Sequence, residues 1–166
     1  MTDLHRLLDQ IGRTHGCTVA SPNGQPVLRE SERLPDDVAE FYRLVGGVSL
    51  FEDGEYPMRV LGPDEFIRAN PEIARTECPD DITDSWYIVA QGGRVDSISI
   101  DCSPARIGRC YDSFWDRHGV VGECLIVALS FTELLQRLFD GAGGYYYWLA
   151  SDPGYGDAYA GEPDQG

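Results

Sequence analysis

At 166 residues the chain is sized for one domain, and a 42% hydrophobic content with six Phe, nine Tyr and three Trp suffices for a packed core, which excludes wholesale disorder. Twenty-eight acids stand against 13 basic residues, every one an arginine, for a formal net charge of −15. That balance excludes the basic footprint needed to hold nucleic acid or an anionic membrane, and it suits a basic protein partner.

The opening "MTDLHRLLDQIG" carries charges and no long apolar run, so it does not read as a signal peptide. Thr2 or Asp3 caps a first helix, in which Leu4, Leu7, Leu8 and Ile11 fall at helical spacing and which Gly16 ends. "SPNGQP" (Ser21–Pro26) is a turn-rich connector. In "LPDDVAEFYRLVGG", Pro35 suits a first helical turn, Asp36 and Asp37 complement the positive helix end, and Val38, Phe41, Tyr42 and Val45 form one stripe. Gly46 or Gly47 is expected to end that helix in the left-handed conformation.

Val48–Phe51 and Met58–Leu61 read as strands around the loop "EDGEYP", and a short helix restarts at Pro63. Arg75–Ser85 is a polar loop. Trp86–Gln91, Asp96–Asp101 and Arg106–Trp115 are expected strands, the first two joined at Gly92–Gly93, and Trp86 and Trp115 are expected in the core. Glu123–Ser130 is a buried extended run. Ser130 and Glu133 then form a capping box ahead of a helix whose apolar face is Phe131, Leu134, Leu135, Leu138 and Phe139 and whose end is Gly141. "YYYWL" (Tyr145–Leu149) is expected as a strand or as a segment lying against the domain. Helices first, strands in the middle and a helix near the end predict an α+β fold with a mostly antiparallel sheet. Residues 1–150 are expected to form one domain and residues 151–166 a mobile acidic, Gly/Pro-rich tail.

Taken in order, "LPDDVAEFYRLVGGVSLF", "PDEFIRAN", "WYIVAQGGRVDSISID", "RIGRCYD" and "SFTELLQRLFDG" resemble the segments of the SUKH superfamily, the Smi/Knr-like proteins. The likeness runs from Leu34 to Gly141. It implies helices packed on a central sheet and a non-enzymatic role. Bacterial members are largely immunity proteins that bind and neutralise polymorphic toxins, many of them nucleases, and others are regulatory interaction hubs. No catalytic residue carries over from the resemblance.

The residues themselves offer two enzyme-like alternatives. A Cys/His hydrolase needs a base beside a thiol. The chain has His5, His15 and His118 and five cysteines, Cys17, Cys78, Cys102, Cys110 and Cys124, but no nucleophile elbow or protease signature surrounds any of them. Cys102, Cys110, His118 and Cys124 are zinc-ligand types, yet their spacing fits no paired-knuckle site, so they read as packing residues and neither metal nor cofactor is expected. An odd cysteine count without CxxC suits a cytoplasmic protein with reduced thiols. The glycine pairs match no phosphate loop.

The acidic loops carry more information. Glu52, Asp53 and Glu55, with Tyr56 beside them, and Asp80, Asp81 and Asp84 are the expected partner-binding residues. They would face the basic groove of a cognate toxin, with Tyr56, Trp86, Trp115 and the tail tyrosines as candidate anchors. The alternative non-enzymatic reading is a regulatory interaction module.

Overall fold

The computed structural model describes residues 3–93 and 95–161. Thr2, Arg94 and the last five residues of the expected tail lie outside them. Seven strands form one sheet in which every pairing is antiparallel and spatial order equals chain order: β1 Thr18–Val19, β2 Val48–Leu50, β3 Met58–Val60, β4 Trp86–Gln91, β5 Ser97–Asp101, β6 Cys110–Asp112 and β7 Ile126–Ala128. The α+β expectation holds. Sequential antiparallel order needs only local connections, so the alternating patterns in the sequence map directly onto neighbouring strands.

Three helices cover one face: α1 Asp3–Gly12, α2 Asp36–Leu44 and α3 Phe131–Asp140. Their predicted stripes are the buried ones. Leu4, Leu7, Leu8 and Ile11 of α1, Val38, Phe41 and Tyr42 of α2, and Phe131, Leu134, Leu135 and Leu138 of α3 join Leu50, Val60, Val89, Ile98, Ile100 and Val127 of the sheet in one core. Period 3.6 on the helices meets period 2 on the strands, and burial of both apolar faces holds the layers together. α3 starts at the predicted cap: the Glu133 N–H donates to Ser130 Oγ at 3.1 Å, while the Glu133 carboxylate reaches one residue beyond the cap, accepting from the Leu129 N–H at 2.8 Å. Asp37 of α2 adds a tie to that start, accepting from the Thr132 N–H at 2.8 Å and its hydroxyl at 2.9 Å.

The opposite face is covered by irregular chain. Leu61, Ala69, Ile82, Trp86, Ile88, Tyr111, Cys124, Ile126 and Ala158 form a second core there. Short turns of helix at Pro63–Glu65 and Asn70–Ala74 replace the single helix expected from Pro63, and a further turn, Ile82–Ser85, closes the segment expected as a polar loop. The first turn ends at Phe66, whose ψ of 84° is not helical, and Pro71 sits in the first turn of the second, where its missing N–H costs little.

Other expectations shift. The run expected over Arg106–Trp115 narrows to β6, and Trp115 is 67% exposed rather than in the core, while Trp86 is 0% exposed as expected. Tyr145–Leu149 yields a turn of helix, α4 Tyr147–Ala150, against the domain. The glycine pair after α2 serves another purpose: the chain leaves the helix through extended Val45, and a Cβ on Gly46 would stand 2.2 Å from the carbonyl oxygen of Ser21. Gly46 is there to let β1 approach. Gly47 alone takes a positive φ, +133°, closed to ordinary side chains.

Residues 155–158, assigned by composition to the tail, lie along the outer edge of β7. The Ile126 N–H donates to the Gly156 carbonyl at 2.9 Å, and the Ala158 N–H donates to the Cys124 carbonyl at 2.7 Å. Ala158 is 1% exposed. This strap satisfies edge groups that would otherwise be open to strand pairing.

Candidate partner-binding surface

The two expected acidic loops lie at opposite ends of the sheet. Arg59 pairs with Gln91 and Val60 with Ala90, so the loop 51–57 between β2 and β3 sits where β4 ends. The loop 80–85 leads into Trp86, where β4 begins. The six residues of β4 span about 20 Å. One flat partner surface therefore does not meet both clusters at once without wrapping the domain.

The loops also differ in how their carboxylates are used. Asp81 accepts from the Thr83 N–H at 3.0 Å, the Thr83 hydroxyl at 2.7 Å and the Tyr159 hydroxyl at 2.8 Å. Asp84 pairs with Arg29 at 3.1 Å and Arg68 at 2.9 Å. Arg29 also grips Glu32 through two hydrogen bonds, and Arg68 grips Glu77 the same way. Burial works against the charge on Glu32, but hydrogen bonds from Arg29 and Tyr87 hold its carboxyl below the usual range. These groups clamp loops together and have little charge left to offer. Of Asp80, Asp81 and Asp84 only Asp80 is exposed.

Glu52, Asp53 and Glu55 are all exposed. His15 lies 3.6 Å from Asp53 at a fully solvated position. The loop begins at Phe51, whose φ of 52° is uncommon for an aromatic residue and turns the chain sharply out of β2. Its far side is fixed by the Tyr56 N–H, which donates to the Gly143 carbonyl at 3.0 Å. Gly54 lies against Gly143, where a Cβ would stand 3.1 Å from the Gly143 Cα. Half-buried Tyr56 meets Tyr145 and Tyr146 edge-on, with ring centroids 5.3 and 5.4 Å apart. The acidic loop is thus held on an aromatic base. A concavity of about 500 Å³ opens beside it, lined by Glu52, Pro57, Met58, Arg59, Gln91 and Gly92.

A different constellation has the residue types of a catalytic relay. Ser113 Oγ lies 2.9 Å from His118 Nδ1, and His118 Nε2 lies 2.7 Å from Asn70 Oδ1. Asn70 in turn donates to the Thr83 hydroxyl at 2.9 Å. No sequence motif signals this series, because its members are joined only by the fold. Ser113 is 0% exposed and Asn70 1% exposed, so a substrate has no approach to the hydroxyl. Burial lowers the imidazole pKa to about 4, so it is neutral at pH 7, with the Nε2 proton given to Asn70. The arrangement ties the irregular layer to the sheet.

The expected thiol positions separate across the fold. Cys102 and Cys110 lie in the helix-side core and Cys124 in the core of the other face. Burial raises all three thiols, that of Cys124 to about 12, so they are protonated packing groups. Among the described residues no group of three or more His, Cys, Asp or Glu is placed to hold a metal ion, and no helix is long and apolar enough to cross a membrane.

Comparison with known proteins adds the remaining finding. The family model described as the SMI1 / KNR4 family (SUKH-1) matches residues 30–137. The chain is 44% identical over 156 residues to Immunity protein YokJ of Bacillus subtilis (strain 168), an alignment covering 93% of this chain and 94% of that protein. No solved structure matches.

Proposed function

The chain belongs to the SMI1 / KNR4 family (SUKH-1), and from that premise we propose that it is an immunity protein: a non-enzymatic cytoplasmic domain that binds and neutralises a cognate toxin. The observation that carries this reading is its similarity, over nearly the full length of both chains, to a protein named for immunity. The physical properties are compatible with it. A net charge of −15 favours a basic partner, as the substrate groove of a nuclease toxin would be. The exposed carboxylates Glu52, Asp53 and Glu55 beside Tyr56 are the contact groups we favour, because Asp81 and Asp84 already serve internal clamps. The relay-like series at Ser113 is sealed from solvent, in keeping with a protein that acts by binding.

Co-expression with the toxin encoded by the adjacent gene is the direct test. Rescue of growth together with a one-to-one complex on gel filtration is expected. Absence of both overturns the assignment.

A further inference from the structure

The end of the sheet that carries the acidic loop also holds large apolar side chains in solvent. Trp115 is 67% exposed, whereas Trp86 and Trp148 are 0% and 2% exposed; Tyr145 is 53% and Val95 49% exposed. An exposed tryptophan on a soluble domain forgoes burial of a large apolar surface, so its position calls for a reason. Two of them are joined through the backbone. The Trp115 N–H donates to the Val95 carbonyl at 3.2 Å. Tyr145 meets Tyr56, Tyr56 meets Tyr146, and Tyr146 meets Phe114 at 5.2 Å, one residue before Trp115. Rings in contact therefore run from Tyr145 and Tyr56 through the buried Tyr146 and Phe114, and Trp115 follows Phe114 in the chain.

The row is rigid. The Phe114 N–H donates to Asp112, the N–H groups of Arg117 and His118 both donate to the Phe114 carbonyl, and the Tyr146 hydroxyl donates to Asp96 at 3.0 Å. Carboxylates accompany these rings: exposed Glu52, Asp53 and Glu55 in the loop that ends at Tyr56, Asp96 against Tyr146, and exposed Asp116 next to Trp115, with Arg117 3.9 Å from it. The described arginine nearest Trp115 in sequence, Arg117, is turned inward, 2.9 Å from Asp112 and stacked 4.4 Å over the Phe114 ring. Aromatic faces rimmed by negative charge suit guanidinium and ammonium groups, which gain from both the ring quadrupole and the carboxylates. A second copy of this chain would bring like charge against like charge.

We infer that the exposed groups at this end of the sheet, Trp115, Tyr145 and Val95 beside the acidic loop, are the docking surface for a cationic protein face, with Trp115 and Tyr145 as the anchors that receive its Arg or Lys side chains. The partner's identity rests on the toxin-binding reading; the surface does not. Two measurements on the full chain separate them. In the first, Trp115→Ala and Tyr145→Ala each weaken binding of the adjacent-gene toxin domain by about tenfold or more in calorimetry, while Asp80→Ala at the opposite end leaves it unchanged. Both anchor side chains are more than half exposed, so the variants keep the fold. In the second, a deca-arginine peptide titrated into isotope-labelled protein shifts the amide signals around Tyr56, Val95, Trp115 and Tyr145 first. Undiminished toxin affinity in the doubly substituted protein overturns the inference. So do peptide shifts spread evenly to Glu77 and Asp80, or self-association abolished by Trp115→Ala. If no adjacent-gene toxin binds, the proposed function falls and the peptide titration still decides the surface.

Discussion

Asp101 shows how single side chains organise the interior. It is 0% exposed and accepts from the Trp86 indole at 3.1 Å, the Tyr111 hydroxyl at 3.0 Å, the Ser85 hydroxyl at 3.0 Å and the Ser103 N–H at 2.9 Å. The Trp86 and Tyr111 rings stack above it with centroids 3.8 Å apart. Burial raises its pKa, and the hydrogen bonds from Ser103, Ser85 and Tyr111 pull the other way. Asp101→Ala strands two buried aromatic donors and is expected to cost about 2–4 kcal/mol in urea denaturation. His118 sets a pH dependence. Its pKa is about 4 folded, against 6.5 when free, so between these values the unfolded chain binds the extra proton. Its contribution is complete above pH 6.5 and is lost as pH falls toward 4, approaching about 3 kcal/mol. In His118→Gln the fall in urea midpoint between pH 7 and pH 4.5 should be distinctly shallower. The sequence displays each of these residues, but their partners lie far along the chain: Arg29 reaches Asp84 across 55 positions and His118 reaches Asn70 across 48. Partnerships of that kind follow from tertiary geometry and leave no local pattern, so Asp84, which pairs internally with Arg29 and Arg68, reads in the sequence as a group offered to a partner.

Among the elements, those with periodic burial were the legible ones. α1, α2 and α3 bury the predicted stripes, and β4 and β5 join across the predicted glycine turn. The capping box at Ser130 is legible because its chemistry is local, and Ser130→Ala is expected to cost about 1 kcal/mol, read as a lowered denaturation midpoint. β1 was not legible. It has two residues, both exposed, and it exists through backbone pairing with β2 alone. The strap at 155–158 escaped for the same reason. Its Gly, Pro and acid content reads as solvated, yet its backbone pairs with β7 and its Ala158 fills a gap in the second core. Truncation after Gly154 exposes Cys124 and Ile126 and should lower the melting temperature by several degrees, with a visible tendency to aggregate.

For the whole molecule the dominant quantity is charge. The fold spends some carboxylates on internal arginines and leaves others, such as Glu52, Asp53, Glu55 and Asp80, in solvent. If these steer a basic partner, the association rate should fall by about tenfold or more between 50 and 500 mM salt, with a much smaller change in dissociation, measurable by stopped flow. The family-level expectation and the α+β architecture were readable in advance because motif order follows chain order in a sheet of consecutive strands. Of the proposed contact surface, the exposed acids of one loop were visible in the sequence, whereas Trp115 was expected in a strand and in the core and instead stands exposed after β6.

The strap's place in the chain has a consequence during biosynthesis. β7 precedes residues 155–158 along the polypeptide, and ribosomes add roughly 5–20 residues each second. For about one to several seconds the nascent sheet exposes unpaired amides and carbonyls to other growing chains on the same polysome.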